Sequence, residues 1–485
     1  MPLQQRVVQH YPATQVLVYT KSGLQYNLTA PGTNSFRSWS THKDTTTPTG
    51  QFSLNLTAVR DANGRTWADK IGAMDYVEIR AGDYQRASPL PVIMRGFVDS
   101  AQETISVDPS TGVPTRTVQV TGQDWGKLLN IWQVQYLWPL DPITAALTLT
   151  TPMPIALSTI FSLPWNTGTM GDFVSSTTKD VVHPVWQQIS AVYQGTVPMV
   201  TGKVAFPPQA QVAVPYVEDF TGSFWNLLTY YQSPPFGEAF IVDENSGVDF
   251  VYRLAPYLDI TGNAPTLYTQ THNDGHALYP DVVADIVDVV AKQTGHSDTD
   301  VATYFFVTPD SSIANTLNPA FYVSGATAPA AVSSTSTAQL THSIGSLDSV
   351  LLNRENAGLP TGPQNPIYLM PYIPIYGFRA LTVQTPWLSA IISEGKLLNS
   401  VQSAASDLCW WLYQVFGNNM DFSNGSVILH GHSDYRIGRY LQLKDDGFTS
   451  RYYIMSVDHQ FTQAEPGQPL GTWQTTLGLS RGYVM

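Results

Sequence analysis

The sequence predicts a mainly β fold with α+β insertions, and three observations support that fold class. Turn-forming residues are abundant, with 35 Gly and 34 Pro in a chain of 485 residues. Aromatic side chains, which favour strands, make up 12% of the residues. Short segments in which apolar and polar residues alternate recur between turn signals in the N-terminal and C-terminal parts of the chain. Short strands at such regular spacing are typical of a sandwich or a barrel.

Composition and charge limit the functions that remain. The length suggests about three domains, and a hydrophobic content of 43% is enough for sizeable cores. Charged residues make up only 13% of the chain, against about 25% in typical soluble domains, which suits a subunit buried in an assembly. The net charge of −13, with no long run of Lys or Arg, disfavours specific nucleic-acid binding because phosphates need clustered cations.

Targeting and redox signals are few. No N-terminal secretory signal is evident. The most apolar region, residues 143–165, is interrupted by three prolines, whereas a membrane-spanning helix needs about 20 continuous apolar residues. We therefore predict no membrane span and expect synthesis and assembly in the cytoplasm. The single cysteine, Cys409, excludes an intrachain disulfide, and its apolar neighbours predict a buried thiol.

The first strands are predicted over residues 14–28, 34–39, 50–57 and 74–80. The third of these alternates most clearly, because Phe52, Leu54 and Leu56 fall on one face. Residues 61–64 combine Asp, Asn and Gly, which is strong turn chemistry. Together with the hairpin that follows, this region contains six or seven strands within about 125 residues, the spacing expected of a barrel or sandwich.

A hairpin over residues 92–129 is the segment around which the N-terminal part is organised. Its first strand contains Gly96, which suggests a bulge or a close approach of another backbone. Residues 108–112 supply a turn, and the returning strand is predicted over residues 115–121, before Gly122. Asp124 is the predicted N-cap of a short helix whose apolar residues could plug the end of a barrel.

The middle of the chain is less regular. Residues 150–215 are rich in Pro and Gly and predict an insertion or arm, and a short helix is predicted over residues 219–232. A hairpin around residues 245–247 follows. Residues 281–291 are ambiguous between helix and strand, and their β-branching favours a strand. Residues 324–341 predict a mobile loop.

The clearest helix is predicted over residues 394–416, with one apolar stripe that could pack on the parent chain or on a neighbour. Ser393 can cap its start and Gly417 its end. After it, alternating segments predict four strands at residues 426–430, 438–443, 451–459 and 473–480.

Two motifs resemble enzyme signatures but are better explained as structure. Gly478, Ser480 and Gly482 match the hydrolase pattern Gly-x-Ser-x-Gly, which requires a strand, a sharp turn, a following helix and a later histidine, yet only three residues follow Gly482. Gly122 and Gly126 are one residue too close for a phosphate loop, and Leu128 stands where Ser or Thr would hold magnesium. We predict no catalytic residue.

Histidines are the remaining candidates for a metal site. His430, His432 and His459 belong to the predicted C-terminal strands, and His272 and His276 flank a turn-like segment. A zinc or iron site needs three or four ligands and an ordered set of supporting residues, and no fourth ligand accompanies these histidines. We predict no metal, no bound cofactor and ordinary hydrogen-bonded histidines.

Several segments resemble, in the same order, those of the central baseplate hub proteins of tailed phages and related injection machines. The first pairs an Arg-Gly-Phe-Val-Asp strand with a Gly-Gln-Asp-Trp helix start, and the last is a Thr-x-Leu-x-Leu-x-Arg-Gly strand. The resemblance spans roughly residues 75–130, 220–257, 297–307 and 376–482. The matching residues include Arg95, Gly96, Phe97, Val98, Asp99, Asp124, Trp125, Trp225, Leu228, Phe236, Glu238, Arg253, Tyr257, Asp298, Tyr376, Arg379, Trp387, Arg436, Gly438, Arg439, Tyr453, His459, Leu477 and Arg481.

The resemblance implies a structural protein with two tube-protein-like β-barrel domains in each chain. Such hubs form homotrimers, so that six barrels make a pseudo-sixfold ring on the hexameric tail tube while the opposite face receives the trimeric spike. Other baseplate or wedge proteins and a tape-measure protein are further expected partners. The lumen passes DNA during ejection without specific nucleic-acid binding, and no active site is implied.

The expected domains follow from these patterns. Residues 1–130 form the first barrel, and residues 131–235 form an arm and a linker helix. Residues 236–260 with 425–485 form the second, discontinuous barrel, and residues 261–424 form an α+β domain that includes the helix at 394–416. Two alternatives stay open: a receptor- or glycan-binding tail protein with aromatic residues as its platform, and a cell-wall hydrolase of the tail tip.

Overall fold

The computed structural model describes most of the regular parts of the chain. The described residues are 11–30, 35–83, 89–107, 114–135, Trp186, Ile189, Tyr193, 202–205, 221–232, 234–244, 247–263, 279–309, 362–385, 397–445, 447–464 and 471–485. The turn predicted at 108–112, the loop predicted at 324–341, most of the arm predicted at 150–215, and His272 with His276 lie outside them. The fold is mainly β with small helices, as predicted.

The N-terminal region folds into seven antiparallel strands in the order β3-β4-β7-β6-β5-β1-β2. Two short helices accompany them, α1 (Trp67–Lys70) before β5 and α2 (Gly126–Ile131) after β7. The strands are β1 (Pro12–Tyr19), β2 (Gln25–Asn27), β3 (Phe36–Asp44), β4 (Gln51–Thr57), β5 (Tyr76–Asp83), β6 (Val92–Val107) and β7 (Pro114–Asp124).

The core of this first β unit is a single cluster of buried side chains, most of them from its strands. Phe52, Leu54 and Leu56 are buried together with Trp39 and Val120, as their alternation predicts. Burying a side chain as large as leucine contributes about 1.5–3 kcal/mol relative to leaving it in water. The alternating pattern therefore both defines the strand and stabilises it.

Two local predictions in this region are settled by the backbone. A Cβ on Gly96 would lie 2.1 Å from the carbonyl oxygen of Gln123, so this glycine serves a close backbone approach rather than a bulge. Helix α2 begins one residue later than predicted, with Trp125 at the cap position. The Asp124 carboxylate still accepts a hydrogen bond from the Gly126 N–H at 2.9 Å.

A connecting segment links this unit to the rest of the chain. It contains β8 (Gln133–Gln135), β9 (Gly202–Ala205), β10 (Thr221–Ser223), helix α3 (Phe224–Gln232) and a hairpin of β11 (Gly237–Glu244) and β12 (Gly247–Leu254). Strand β8 pairs with β10, and β12 pairs with both β11 and β9. The helix predicted over residues 219–232 begins only at Phe224, because residues 221–223 form β10, and the two strands of the predicted hairpin pair as β11 and β12.

The next residues pair with strands from the far C-terminal part of the chain. The ambiguous segment 281–291 forms β13 (Val282–Asp285), a 3-10 turn (Ile286–Asp288) and the start of β14 (Val289–His296). The preference for strand was right, but a turn interrupts the segment because the Asp285 side chain accepts a hydrogen bond from the Val287 N–H. In sequence this segment was grouped with the 261–424 region, whereas in space it lies beside the C-terminal strands.

An α+β insertion follows β14. A three-stranded sheet in the order β16-β15-β17 packs against the long helix α5. Buried residues of α5, including Leu408, Leu412 and Val415, pack against this sheet, so the described part of the apolar stripe packs on the parent chain. The elements are β15 (Tyr304–Pro309), β16 (Ile367–Tyr368), α4 (Ile373–Tyr376), β17 (Ala380–Thr385) and α5 (Leu397–Phe416).

The remaining strands complete a second β unit. They are β18 (Ser423–His430), β19 (Tyr440–Asp445), β20 (Phe448–Thr462) and β21 (Thr472–Val484), close to the four strands predicted. With β13 and β14 they form the order β14-β18-β21-β20-β19-β13, in which only the β13–β19 pair is parallel. No helix in the described part of the chain is long and apolar enough to cross a membrane.

Candidate functional site: the seam between the two β units

The two β units meet edge to edge. Residues 456–462 of β20 pair antiparallel with residues 38–44 of β3, which joins both units into one 13-stranded sheet. The apolar face of this seam is aromatic. Phe461 stacks on Trp39 with ring centroids 5.9 Å apart and tilts against Phe36 at 6.2 Å. Aromatic pairs of this kind contribute about 0.5–1.5 kcal/mol beyond the area they bury.

The other face of the seam is polar. His42 and Asp458 lie directly opposite each other in the register, and the His42 Nδ1 is 2.5 Å from the Asp458 Oδ1. Both side chains are about half exposed. An exposed pair of this kind contributes little to stability, about 0–1 kcal/mol, so the aromatic face is what holds the seam together.

The β11–β12 hairpin is tied to the first unit by a buried ionic cluster. The Lys43 ammonium lies 2.9 Å from Asp124 and 2.6 Å from Asp243, and it also donates to the Ile241 carbonyl at 3.2 Å. All three of its protons therefore have acceptors. The Asp124 and Asp243 side chains are almost completely buried, and Lys43 is 12% exposed.

The protonation states in this cluster follow from its geometry. Burial alone would lower the pKa of Lys43, but the two carboxylates outweigh burial and the pKa is raised. Burial raises the pKa of Asp124, against the opposing effect of Lys43. The two acidic neighbours therefore favour the charged form of Lys43, and the buried Asp124 carboxylate depends on that cation.

A second buried cluster ties the same hairpin to the second unit. Arg253 of β12 donates to Glu238 at 2.6 Å and to the Gly438 carbonyl at 2.7 Å. The Tyr453 hydroxyl in turn donates to the Glu238 carboxylate at 2.6 Å. Because Arg253 and Glu238 are both buried, neither charge can be removed alone without leaving the other unpaired.

Two further buried arginines cross between elements. Arg95 of β6 donates to Glu78 at 3.0 Å and to the Gly247 carbonyl of the hairpin at 2.9 Å. Arg436, just before β19, donates to the Val92 carbonyl of β6 at 3.0 Å. The seam is therefore a rigid junction in which both units and the hairpin share buried hydrogen bonds.

His459 lies within the seam strand and is buried. Its Nδ1 is 2.8 Å from the Thr475 hydroxyl. Burial, assisted by the nearby Arg436, lowers the pKa of His459 to about 3. The imidazole is therefore neutral in the folded protein at neutral and mildly acidic pH.

Acid should destabilise the fold through His459. His459 takes up a proton near pH 6.5 in the unfolded chain but only near pH 3 in the folded chain. The free energy of unfolding therefore has its full value above pH 6.5 and falls as the pH drops towards 3. We expect His459 to lower the free energy of unfolding by about 2 kcal/mol at pH 5, compared with neutral pH. Urea unfolding at pH 7.5 and 5.0 should show a smaller loss of unfolding free energy in His459→Gln than in the wild type. His432→Gln, at an exposed site, should lose as much as the wild type.

The residues of the two enzyme-like motifs, the Gly-x-Ser-x-Gly pattern and the phosphate-loop-like glycines, lie in ordinary secondary structure. Ser480 is an interior residue of β21 and is paired with Tyr453, so it is not at a strand-to-helix turn. Gly122 is in β7 and Gly126 opens α2, as the helix-start interpretation predicts. Cys409 is buried, and burial raises the pKa of its thiol to about 12, so it is not a reactive nucleophile.

The candidate metal ligands are not gathered into a site. His430 is in β18, His432 is exposed in the following loop, and His459 is in β20. Within the described ranges, no three His, Cys, Asp or Glu side chains come close enough together to hold a metal ion.

The two β units have the same strand order. In chain order, the strands β1, β3, β4, β5, β6 and β7 correspond to β13, β14, β18, β19, β20 and β21, and both sets have the same order in the sheet. Neighbouring strands run in the same relative direction in both units, with one exception. The β1–β5 pair is antiparallel, whereas the corresponding β13–β19 pair is parallel. The extra strand β2 belongs to the first unit alone.

Matching details align β6 with β20. A bulge lies between Val98 and Ser100 in β6, and another lies between Ile454 and Ser456 in β20. Val98 exchanges backbone hydrogen bonds with the loop at residues 74–75, as Ile454 does with the loop at residues 438–439. Ser100 therefore corresponds to Ser456.

Matching details also align β3 with β14. The bulge between Phe36 and Ser38 in β3 has its counterpart between Val289 and Ala291 in β14. Ser38 therefore corresponds to Ala291. The resemblance seen in sequence implied two similar barrels in each chain, but the sequence predicted neither this strand-by-strand correspondence nor the residues of the seam. The one local signal was that Lys43 shares its strand face with Trp39, at a position where a core residue is expected.

The chain is similar to several solved structures, among them tail proteins and a phage baseplate. It is similar to a tail protein from Neisseria meningitidis MC58, with 11% identity, a TM-score of 0.46 and coverage of 97% of both chains. It is also similar to the 43 kDa tail protein of prophage MuSo2 from Shewanella oneidensis, with 11% identity, a TM-score of 0.47 and coverage of 97% of this chain and 98% of that chain.

A third similar structure is the phage P2 baseplate in its activated conformation with Ca, with 10% identity, a TM-score of 0.27 and coverage of 97% and 99% of the two chains. No protein-family model matches the chain, and no curated protein matches it. Because these TM-scores are below 0.5, function is inferred from the chain's own geometry.

Proposed function

We propose that this chain is the structural hub of a phage tail tip or baseplate and that it works as a homotrimer. The observation that carries this proposal is the seam, which joins two β units of the same strand order edge to edge within one chain. Three copies supply six such units. A threefold assembly would then present a pseudo-sixfold face, which is the symmetry of a ring of identical tube subunits.

The partners follow from these symmetries. The pseudo-sixfold face would dock onto the hexameric tail tube, and the opposite face, with true threefold symmetry, would receive the central spike. Wedge or other baseplate proteins and the tape-measure protein would contact the periphery and the lumen. The protein would be made in the host cytoplasm and would function in the virion tail.

The polar face of the continuous sheet suits the wall of a DNA channel. Side chains on this face are mostly hydroxyls and amides, and the half-exposed His42–Asp458 pair is among its few charged groups. A surface without clustered cations does not hold phosphates, so DNA could slide past it during ejection. The groove on this face is lined by Ser40, His42, Gln51, Ser53, Asp99, Thr121, Gln123, Asp458 and Gln460, among others.

Each β unit would act as one tube-like barrel. The first would comprise residues 1–130, and the second would combine residues 236–260 and 425–485 with the strands at 282–296, which pair with the C-terminal strands. The rest of 261–424, including α5, would form the inserted α+β domain. The proposed role is architectural, and no catalytic group is assigned to it.

Light scattering on the purified chain, alone and with spike protein, tests the trimer. We expect a species of three times the 53.3 kDa chain mass, and this species should capture one trimeric spike. A different number of chains in the complex with spike would contradict the hub. Specific binding of the isolated chain to host cells would favour the receptor-binding alternative, and clearing of cell wall in a zymogram would favour the hydrolase.

A further inference from the structure

We propose that copies of this chain join through an antiparallel pairing of β6 from one copy with β14 from the next, in the register of the internal seam. The proposal depends on the hub only for the number of copies. It assigns the interface to two defined strand edges and to individual residue pairs.

Part of one edge of β6 has no paired strand among the described residues, whereas the same part of its counterpart β20 is paired with β3. In the second unit, β19 pairs with β20 as far as Tyr453, and β3 occupies the same edge from Ser456 onwards. In the first unit, β5 pairs with β6 as far as Phe97. From Ser100 to Val107 that edge of β6 has no partner among the described strands.

The edge of β14 is open in the same sense. Its counterpart β3 is paired on both sides, with β4 and with β20. Strand β14 pairs with β18 on one side, and no described strand pairs with its other side. The two open edges are thus the counterparts of the two edges that form the seam.

Exposure of apolar side chains supports a missing neighbour at both edges. Phe461 is 4% exposed because β3 covers it, whereas its counterpart Ile105 is 56% exposed. Val107 on β6 is 61% exposed, and Val290 on β14 is 47% exposed. Long strand edges with exposed β-branched residues invite pairing with another strand.

The occupant of each edge is a second copy of this chain. The two open edges are at opposite ends of the path of paired strands that runs from β14 through β18, β21, β20, β3, β4 and β7 to β6. The open edges of β6 and β14 are complementary, because their counterparts β20 and β3 already pair with each other within the chain. Such a head-to-tail contact closes into a ring when the rotation between copies allows it.

The internal seam fixes the register. Because Gln460 pairs with Ser40 and Thr462 with Ser38, the equivalences place particular residues of β6 opposite residues of the neighbouring β14. The expected pairs are Ser100 with Ser297, Ala101 with His296, Gln102 with Gly295, Glu103 with Thr294, Thr104 with Gln293, Ile105 with Lys292, and Ser106 with Ala291.

A disulfide across this register tests the proposal. Thr104 and Gln293 are both exposed, and facing residues on antiparallel strands lie about 4.5–5.5 Å apart between Cα atoms, within reach of a disulfide. The full-length Thr104→Cys/Gln293→Cys variant should, on oxidation, give covalently linked chains on a non-reducing gel. A mixture of the two single variants should give linked pairs only. The native Cys409 is buried and should not interfere.

Two control variants make the result decisive. Ser40→Cys/Gln460→Cys is the same pair inside the seam and should close within one chain. Thr104→Cys/Lys292→Cys is one residue out of register, so its two thiols point to opposite faces and should link poorly. If the seam control closes while Thr104→Cys/Gln293→Cys links no chains, or if the shifted pair links equally well, the pairing is wrong.

The outcomes also separate this inference from the proposed hub. Linked chains with the mass of a ring other than a trimer would uphold the pairing and overturn the trimeric hub. A trimer with bound spike but without in-register links would uphold the hub and overturn the pairing.

Discussion

Replacing Lys43 by methionine should lower the free energy of unfolding by about 3–5 kcal/mol, the cost of leaving a buried charge without its partner. Methionine keeps most of the length of the side chain and removes the ammonium that lies 2.9 Å from Asp124 and 2.6 Å from Asp243. Two buried carboxylates would then face each other without a cation. We expect a large loss in the urea midpoint at pH 7.5, with the β11–β12 hairpin released from the first unit.

Three further measurements establish the cause. Lys21→Met removes an exposed lysine and should change stability by less than about 0.5 kcal/mol. Adding Asp243→Asn to Lys43→Met removes one of the two facing charges and should recover part of the loss. Lowering the pH to 5 should narrow the gap to the wild type, because an unpaired buried carboxyl takes up a proton readily. A Lys43→Met variant as stable as wild type would show that the cluster does not hold the hairpin.

Sequence patterns predicted those strands whose partners and periodicity are local. Phe52, Leu54 and Leu56 alternate because one face of β4 is buried, and that alternation is visible without knowing what covers it. Helix α5 was equally clear because its stripe repeats over several turns. Helix α1 was missed because its four residues, 67–70, are too few for a period to show, although Asp69 accepts a hydrogen bond from the Thr66 N–H at its start.

The seam could not be predicted because it depends on residues far apart in sequence. Lys43 and Asp243 are 200 residues apart, and no local pattern relates them. The resemblance implied two similar barrels, but the correspondence of individual strands is hidden in the sequence, since a strand core requires apolar residues at alternate positions and not the same residues. Val98-Asp99-Ser100 and Ile454-Met455-Ser456 occupy the same bulge with one identity in three. The bulges of β6 and β20 therefore correspond in backbone geometry, although their sequences differ.

The change with the largest expected effect on assembly is Ile105→Lys. If β6 pairs with β14 of the next copy in the proposed register, the introduced lysine would replace a buried apolar contact and would face Lys292. Burying an isoleucine contributes about 1.5–3 kcal/mol, and like charges directly opposite each other on paired strands are destabilising. We expect each interface to weaken by about 10- to 1,000-fold, since about 1.4 kcal/mol corresponds to a factor of ten, so that light scattering finds a distribution shifted to single chains.

The stability of the single chain distinguishes loss of assembly from loss of folding. Ile105 is 56% exposed in the isolated chain, so its replacement by lysine should leave the urea midpoint of monomers unchanged. Ile375→Lys, at a site on α4 that is 68% exposed and far from either edge strand in the sequence, should leave assembly intact. Adding Lys292→Glu to Ile105→Lys places opposite charges across the interface and should restore part of the ring. Assembly of Ile105→Lys at wild-type strength would mean that this edge of β6 is not where copies meet.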